Sequence, residues 1–207
     1  TISQEIEEVV VTATKKEEST QDIAVSITAI TADQLAADQI YDLQDLAEIV
    51  PGFGVAKGIG SGSGFVMRGI GSYGVGAAVV SSIVTSINGH SVNPSIMNDM
   101  GFMDLERIEV LNGPQGTLFG RNSVAGVINL ITARPTGEFE GYVDYESGNY
   151  DKETVKGAVN MPISDTVRAR LAFMTNTRSG MVENTTNGNK MDDRNDQAIR
   201  LSIDWDI

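Results

Sequence analysis

The stretch from Glu138 to Glu146, EFEGYVDYE, alternates apolar and polar residues. In an extended chain its apolar residues fall on one side and its acidic residues on the other. The same period of two recurs three more times, with apolar sets at Val155, Gly157, Val159 and Met161, at Val167, Ala169, Leu171 and Phe173, and at Ile199, Leu201, Ile203, Trp205 and Ile207. The pattern predicts four consecutive strands, each with one apolar and one strongly polar face.

The connections between these strands differ in length. Ser147 to Asp151 and Pro162 to Asp165 are short, whereas Arg178 to Asp196 is long, rich in asparagine and hydrophilic. Strands of about ten residues with short turns and a long loop are typical of an outer-membrane barrel with a polar lumen. A water-soluble antiparallel sheet with one solvated face has the same alternation, so that alternative stays open at this point.

Composition removes several classes of function. The chain has 207 residues and a formal net charge of −13, which disfavours binding to nucleic acid or to anionic lipid headgroups. Cysteine is absent, which excludes disulfides, thiolate metal sites and cysteine nucleophiles. The most apolar stretch, around residues 76–84, is far shorter than the ~20 residues of a membrane-crossing helix. Any membrane crossing by this sequence is therefore expected to use strands.

The sequence before Glu138 predicts a small α+β module over about residues 20–135. Ile23 to Ile30 alternates as a strand does, and Thr31 to Gln34 has the form of a capping box that starts a helix. Helical spacing continues to Val50 and ends at Pro51, so we expect one short helix, a break near Asp38 and a second short helix. Later strands are predicted at residues 105–112 and 124–132, with a turn and a short helical segment between them.

Motifs for catalysis or metal binding are not found. The glycine run from Gly58 to Gly64 fits neither nucleotide-binding pattern, and Gly113 to Arg121 lacks the Walker lysine. There is one histidine, His90, which is expected to be a turn residue, and no serine-hydrolase elbow. The acidic residues around Asp192 miss the spacing of a calcium loop. The sequence predicts no enzyme, no cofactor and no metal site.

The run from Leu105 to Pro135, LERIEVLNGPQGTLFGRNSVAGVINLITARP, resembles the closing signature of the plug domain in TonB-dependent outer-membrane receptors. Further resemblances lie upstream in the same order as in that family. Asp42 to Gly52 is similar to the helix that leads into the first apical loop, Phe65 to Ile70 to a plug strand with an Arg-Gly pair, and Ile83 to Val92 to the following hairpin. Glu7 to Ala13 resembles the TonB box.

This resemblance implies an α+β plug domain followed by antiparallel transmembrane β-barrel strands, part of a large barrel of about 22 strands. The expected domains are a periplasmic segment with the TonB box at 1–19, the plug at 20–137 and the first four barrel strands at 138–207. Four strands cannot close such a barrel, so we expect the remaining strands elsewhere in the same chain or in another chain. The implied location is the bacterial outer membrane, with a periplasmic N-terminus.

The implied function is energy-coupled uptake of a scarce nutrient, of the siderophore-iron, cobalamin, haem or oligosaccharide class. The implied partners are the TonB periplasmic domain with its inner-membrane energising complex, outer-membrane lipid, and a small-molecule or glycan cargo, without nucleic acid. A soluble β-rich binding or adhesion module without transport is the alternative. The two differ because only the receptor needs detergent or lipid to fold.

The TonB-binding residues that the resemblance implies are Glu8, Val9, Val10, Val11, Thr12 and Ala13. They would add a strand to a sheet edge of TonB, and β-branched valines, which are stiff when extended, lower the cost of ordering such a peptide. Val9 to Thr12 as an ordinary plug strand is the alternative.

In the family, plug arginines pair with barrel glutamates and hold the plug in place. Arg68 matches one such position, and the second position carries Asn112, so Arg121 is the candidate that would compensate. The alternatives are that Arg68 pairs with nothing and that Arg121 braces a turn. Residues expected in the cargo-facing apical loops are Tyr73, Asn93, Asn98 and Asp99.

Overall fold

A computed structural model of the chain describes residues 10–11, 18–19, 26–57, 63–71, 81–92 and 101–206. The chain divides into two compact units. Unit 1 comprises residues 1–101 and 105–131, and unit 2 comprises residues 102–104 and 132–207.

The described elements of unit 1 follow one another as short strands and helices. They are β1 (Val10–Val11), β2 (Glu18–Ser19), β3 (Ile27–Thr31), α1 (Ala32–Ala37), α2 (Leu46–Ile49), β4 (Phe53–Lys57), β5 (Ser63–Met67), β6 (Ile70–Gly71), β7 (Ile83–Ile87), β8 (His90–Val92), β9 (Leu105–Asn112), α3 (Gly116–Phe119) and β10 (Gly126–Thr132, whose last residue belongs to unit 2). Unit 2 holds β11 (Gly141–Gly148), β12 (Lys152–Pro162), β13 (Val167–Arg178), β14 (Val182–Glu183), β15 (Lys190–Met191) and β16 (Arg194–Trp205).

The largest sheet of unit 1 has the order β3-β9-β10-β7-β8. Strands β10 and β7 run parallel, and the β3–β9 and β7–β8 pairs are antiparallel. Every residue of β10 is buried, as expected of a strand in the middle of a covered sheet. The predicted strands at 105–112 and 124–132 are confirmed as β9 and β10, the latter starting two residues later.

The two predicted short helices are present as α1 and α2. Thr31 closes the capping box with Gln34, since the Gln34 N–H donates to Thr31 Oγ1 at 3.3 Å and the Thr31 N–H donates to Gln34 Oε1 at 3.0 Å. The helical pattern breaks at Asp38, as predicted, and Gln39 takes a positive φ of 56°. The predicted strand before α1 is described from Ile27 onward, and residues 23–25 lie outside the described ranges.

The interior of unit 1 is apolar and tightly packed. Its largest fully buried side chains include Leu43, Leu46, Met67, Ile83, Ile108, Leu111, Ile128 and Leu130. Gly126 lies where the backbone of β9 passes close by, because a Cβ atom there would lie 2.4 Å from the Leu111 carbonyl oxygen and 2.2 Å from Met67 Sδ. Any larger residue at this position would push the two strands apart.

Two smaller sheets complete the described part of unit 1. Strands β4, β5 and β6 form one, with a turn at Arg68 and Gly69, whose φ angles are 50° and 79°. Strands β1 and β2 form the other, in which Val10 pairs with Ser19 and Val11 with Glu18. The hairpin that the sequence predicts from Ile83 to Val92 is confirmed, and its turn at Asn88 and Gly89 has two positive φ angles, as type I′ turns require.

Unit 2 is built on an antiparallel sheet of four strands in the order β11-β12-β13-β16. All four predicted strands are confirmed. The register places the predicted apolar sets side by side: Val143 pairs with Gly157, Gly157 with Phe173 and Phe173 with Ile199. The same alignment holds for Gly141, Val159, Leu171 and Leu201. One continuous apolar face therefore crosses the sheet.

The connections in unit 2 follow the predicted lengths. Short turns join β11 to β12 and β12 to β13, and Tyr150 and Asp151 in the first of them have positive φ angles. The long connection between β13 and β16 contains the small hairpin β14–β15, which the sequence pattern did not predict. Its strands are two residues each, too short to produce a readable alternation.

Candidate functional site

The apolar face of the unit 2 sheet is exposed. On the outer strands Val143 is 69 % exposed, Ile199 78 % and Trp205 68 %, and Leu201 and Ile203 are 60 % exposed each. On the opposite face Asn160, Arg170 and Asn176 are buried. A sheet that folds in water has the reverse arrangement, because exposing one large apolar side chain costs about 1.5–3 kcal/mol. Contact with hydrocarbon removes this cost.

A charged cluster around the buried Asp104 lies on the polar face of the same sheet. Asp104, which belongs to unit 2, accepts hydrogen bonds from Arg170, Arg200 and Tyr142, and these four residues are called the Asp104 cluster. Arg170 Nε lies 2.9 Å from Asp104 Oδ2, and its Nη2 donates to Oδ1. Arg200 Nη2 lies 2.7 Å from Oδ2 and the Tyr142 hydroxyl 3.2 Å from Oδ1. Only 2 % of the Asp104 side chain is exposed.

The backbone of the same segment is bound as well. Arg200 donates from Nη1 to the Met103 carbonyl at 3.1 Å and from Nη2 to the Asp104 carbonyl at 2.9 Å. The Ala133 N–H also donates to the Asp104 carbonyl, at 3.1 Å. Asp104 itself has a φ of 50°, which is uncommon for a residue other than glycine. The segment Phe102–Asp104 is thus bound through the Asp104 side chain and through the backbone carbonyls of Met103 and Asp104.

A second polar group on the unit 2 sheet surrounds Asn160. Its Nδ2 donates to Thr136 Oγ1 at 2.8 Å and to Glu140 Oε1 at 2.9 Å. Thr136 also donates to Glu140, at 2.9 Å. Among the described residues Asn160 Oδ1 has no hydrogen-bond partner, although it is buried. On the polar face of this sheet, Asn160 of β12 is therefore bonded to two residues that precede β11.

Unit 1 has its own buried network, built on Glu109. This carboxylate is fully buried and accepts from Arg107 Nε at 2.9 Å and from Asn129 Nδ2 at 3.1 Å. Asn129 Oδ1 in turn accepts from Ser86 Oγ at 2.8 Å and from the Gly89 N–H at 2.9 Å. The network ties β9, β10 and the β7–β8 turn together through side chains.

Of the predicted TonB-binding residues, Val10 and Val11 lie within the described residues. They form β1, and Val11 is fully buried. Strand addition to a partner would therefore have to replace their pairing with Glu18 and Ser19. Glu8, Val9, Thr12 and Ala13 lie outside the described ranges.

The two arginines predicted to retain the plug are both exposed. Arg68 lies in the β5–β6 turn, where its N–H donates to the Gly52 carbonyl at 2.7 Å and its Nη2 donates to Ser26 Oγ at 3.2 Å. Arg121 follows α3, and no ion pair to it is found within the ranges that the structure describes. The Asn112 N–H donates to the Ser26 carbonyl at 2.9 Å, and its buried Oδ1 lacks a partner among the same residues. The structure does not bring Arg68 and Arg121 together.

The residues predicted to face cargo, namely Tyr73, Asn93, Asn98 and Asp99, all lie outside the described residues. His90 is described and is exposed at the start of β8. Within the described ranges no group of three or more His, Cys, Asp or Glu side chains is placed to hold a metal ion.

Residues 19–127 match the family model of the TonB-dependent receptor plug domain, which is more than half of the chain. The chain belongs to the TonB-dependent receptor family. This family consists of transport receptors of the Gram-negative outer membrane and not of enzymes. The expected fold, an α+β plug domain followed by antiparallel transmembrane β-barrel strands, is confirmed.

Three proteins illustrate the similarity of this receptor chain to known ones. The iron-regulated outer membrane virulence protein of Vibrio cholerae is 29 % identical over 184 residues, which is 83 % of this chain and 28 % of the relative. The vitamin B12 transporter BtuB of Vibrio vulnificus is 31 % identical over 60 % of this chain and 20 % of the relative. The pyoverdine outer membrane receptor FpvA of Pseudomonas aeruginosa, solved bound to pyoverdine, has a TM-score of 0.77 at 20 % identity, covering 100 % of this chain and 29 % of its own.

The receptor chain spans between about a fifth and three tenths of the length of these three proteins. The described helices include none that is long and apolar enough to cross a membrane.

Sequence reasoning missed the Asp104 cluster. Tyr142, Arg170 and Arg200 were correctly placed on the polar faces of their strands, but strand alternation names no partner for them. An arginine on a strand is seldom buried without an acceptor, so Arg170 and Arg200 could have indicated that an acidic partner lies nearby. This signal could not point to Asp104, which is 66 residues from Arg170 and 96 from Arg200.

Proposed function

We propose that this chain forms the periplasmic coupling segment, the plug and the first strands of a receptor for energy-coupled nutrient uptake. The remaining barrel strands come from the same chain or from another. The cargo is a scarce nutrient of the siderophore-iron, cobalamin, haem or oligosaccharide class. We assign the chain no catalytic role.

The observation that carries this proposal is the exposure of the apolar face of the unit 2 sheet. Four strands of 8, 11, 12 and 12 residues carry apolar side chains on one face and polar side chains on the other, and the large apolar side chains are exposed on the outer strands β11 and β16 and half-buried on β12 and β13. A tilted strand needs about 9–11 residues to cross the hydrocarbon layer. The strand lengths and the exposed apolar face together favour a lipid-facing ribbon over a soluble binding module, which would bury that face.

The names of the relatives support the cargo class in general terms. One is an iron-regulated outer membrane protein, one a vitamin B12 transporter, and one was solved with pyoverdine bound. We propose that Tyr73, Asn93, Asn98 and Asp99 contact the cargo and that Arg68 and Arg121 help to retain the plug.

Energy coupling is proposed to act through Glu8 to Ala13. The described part of this segment, β1, pairs with β2 in a two-stranded sheet. Such a pairing is a weak competitor for a wider partner sheet, because an isolated two-stranded hairpin is marginally stable in water. The TonB periplasmic domain would take over the backbone hydrogen bonds of Val10 and Val11.

The test uses the complete receptor in a Gram-negative host that lacks its own receptors for the cargo panel. Uptake of iron-55 loaded siderophores, cobalamin, haem and labelled oligosaccharides is measured for the parent, for a deletion of residues 8–13 and for a matched deletion of residues 1–5. We expect the deletion of 8–13 to abolish uptake of the transported compound while cell-surface binding is retained. The deletion of 1–5 should leave both unchanged.

Equal uptake after removal of residues 8–13 would contradict the coupling role. Absence of uptake across the whole panel, including labelled oligosaccharides, would contradict the transport function. A receptor that accumulates as a water-soluble monomer would support the soluble binding module instead.

A further inference from the structure

The Asp104 cluster is the most extensively bonded buried group among the described residues of unit 2. Its carboxylate accepts from two guanidinium groups and one phenol, and one of those guanidinium groups also binds two backbone carbonyls. Asp104 is 6 % exposed and Arg170 9 %. Ion pairs that are buried in this way, with several hydrogen bonds each, are much stronger constraints than exposed pairs.

Asp104 is the last residue of unit 2 before the chain returns to unit 1. Leu105, the next residue, starts β9, which lies between β3 and β10 in the main sheet of unit 1. Phe102–Asp104, however, belongs to unit 2, as does the chain from Thr132 onward. The backbone therefore leaves unit 1 before Phe102, is held at Asp104 by strands β11, β13 and β16, and returns into unit 1 at Leu105.

We propose that the Asp104 cluster is a retention clamp, which keeps Phe102–Asp104 on the barrel strands when the chain upstream of it is pulled. Tension that travels along the backbone from the N-terminus reaches Asp104 before it reaches Leu105. Held by Arg170 and Arg200, Asp104 takes up that tension, and β9, α3 and β10 stay in place. The clamp is a positioning device and uses residues other than Arg68 and Arg121. This role rests on the proposed coupling through the N-terminal segment, but the clamp itself exists without it.

The charges explain why the clamp holds and why it depends on Asp104. Two guanidinium groups share one carboxylate, so replacing Asp104 leaves the buried Arg170 and the partly buried Arg200 without their common partner. Removing Arg200 leaves the Asp104–Arg170 pair intact and takes one donor from each of the Met103 and Asp104 carbonyls, of which the Asp104 carbonyl keeps the Ala133 N–H. Removing one partner of a buried pair costs far more than removing an exposed pair. The two changes should therefore open the segment to different extents.

The experiment uses the absence of cysteine in this chain. Met103→Cys introduces a single thiol next to the clamp; the Met103 group that Arg200 contacts is the backbone carbonyl, which this change keeps. The complete receptor is prepared in outer-membrane vesicles, without cargo or TonB, and the rate of labelling by a polar maleimide is measured. The variants are Asp104→Asn and Arg200→Gln. The matched control is Asp206→Asn, whose carboxylate pairs with Arg168 at 2.5 Å on the same sheet but is 64 % exposed.

We expect Asp104→Asn to raise the labelling rate at least tenfold and Arg200→Gln to raise it three- to tenfold, while Asp206→Asn changes it less than twofold. Labelling rates within twofold of the parent in both clamp variants would overturn the proposal. Failure of both clamp variants to assemble in the outer membrane, with Asp206→Asn assembling, would also overturn it, because the cluster would then be needed for folding.

A further arm separates this proposal from the coupling proposal. Deleting residues 8–13 should leave the resting labelling rates of all variants unchanged, since no force acts in isolated vesicles. If the deletion has no effect on uptake in cells but the clamp variants still label faster, coupling through that segment fails and the clamp stands. If uptake depends on residues 8–13 but labelling never changes, the clamp fails and coupling stands.

Discussion

The main sheet of unit 1 and the four-stranded sheet of unit 2 use similar residues in opposite ways. In β10 the apolar side chains are buried, with Ile128 at 0 % exposure, whereas in β16 the apolar side chains Ile199, Leu201 and Ile203 are exposed. Both sheets obey the same rule, which is that apolar side chains avoid water. The comparison shows that residue type alone does not set exposure, since isoleucine and leucine side chains are buried in β10 and exposed in β16.

The largest expected effect is the loss of packing in the unit 1 core. Ile128→Ala should lower the free energy of unfolding of unit 1 by about 2–5 kcal/mol, because the side chain is fully buried and leaves a cavity. Amide hydrogen exchange of β9 and β10 measures this loss. Ile203→Ala on the exposed face of unit 2 is the comparison, and it should cost less than 1.5 kcal/mol in lipid, since acyl chains fill the space. Equal losses at both sites would break the contrast.

The second largest loss of stability is expected from a charge placed on the apolar face of unit 2. Leu201→Arg should destabilise the receptor by about 2–4 kcal/mol in vesicles, because the new charge would face hydrocarbon. Val124→Arg is the matched control in unit 1, where the residue is similarly exposed, at 53 % against 60 % for Leu201. That change should stay within about 0.5 kcal/mol. Denaturant unfolding in lipid vesicles distinguishes the two, and a small effect of Leu201→Arg would argue that this face meets water.

The buried polar network of unit 1 is expected to be worth somewhat less. Asn129→Leu should cost about 1–3 kcal/mol, because Glu109 loses one donor and the Gly89 N–H loses its acceptor. Asn149→Leu, in the exposed β11–β12 turn of unit 2, should change stability by less than about 0.5 kcal/mol. Thermal unfolding followed by near-ultraviolet circular dichroism compares them. A similar shift for both variants would show that the network contributes nothing beyond its surroundings.

The smallest expected effect is at the exposed pair between Arg168 and Asp206. Asp206→Asn should cost about 0.2–1 kcal/mol, since the Asp206 side chain is 64 % exposed and water already solvates its carboxylate. The difference from the parent should vanish in about 1 M salt, where the screening length is about 3 Å. A loss that persists in high salt would mean that this pair behaves like a buried one.

Most of the strands could be predicted from the sequence. The alternation in β11, β12, β13 and β16 gave both the strands and their two faces, and the structure aligns those faces in register. The capping box at Thr31 and the strands β9 and β10 also follow from local patterns. The hairpin β14–β15 could not be predicted, because each strand is too short to show a period.

The candidate sites were less accessible to prediction. The residues implied by the family resemblance lie mostly outside the described ranges, and they stay predictions. Arg68 was expected to retain the plug, and its described hydrogen bonds lie within unit 1, to Gly52 and Ser26. The buried ion pairs of unit 2 instead involve Asp104, a residue that no motif singled out.

The sequence by itself determined where the strands lie, which residues share a face and which family the motifs resemble, because each of these depends on neighbours along the chain. Only the tertiary structure decided that the apolar face of unit 2 is the exposed one, and that Asp104 is shared by Arg170 and Arg200. The physical reason is that exposure and buried charge pairing depend on groups brought together from distant parts of the chain, and local periodicity carries no information about such partners.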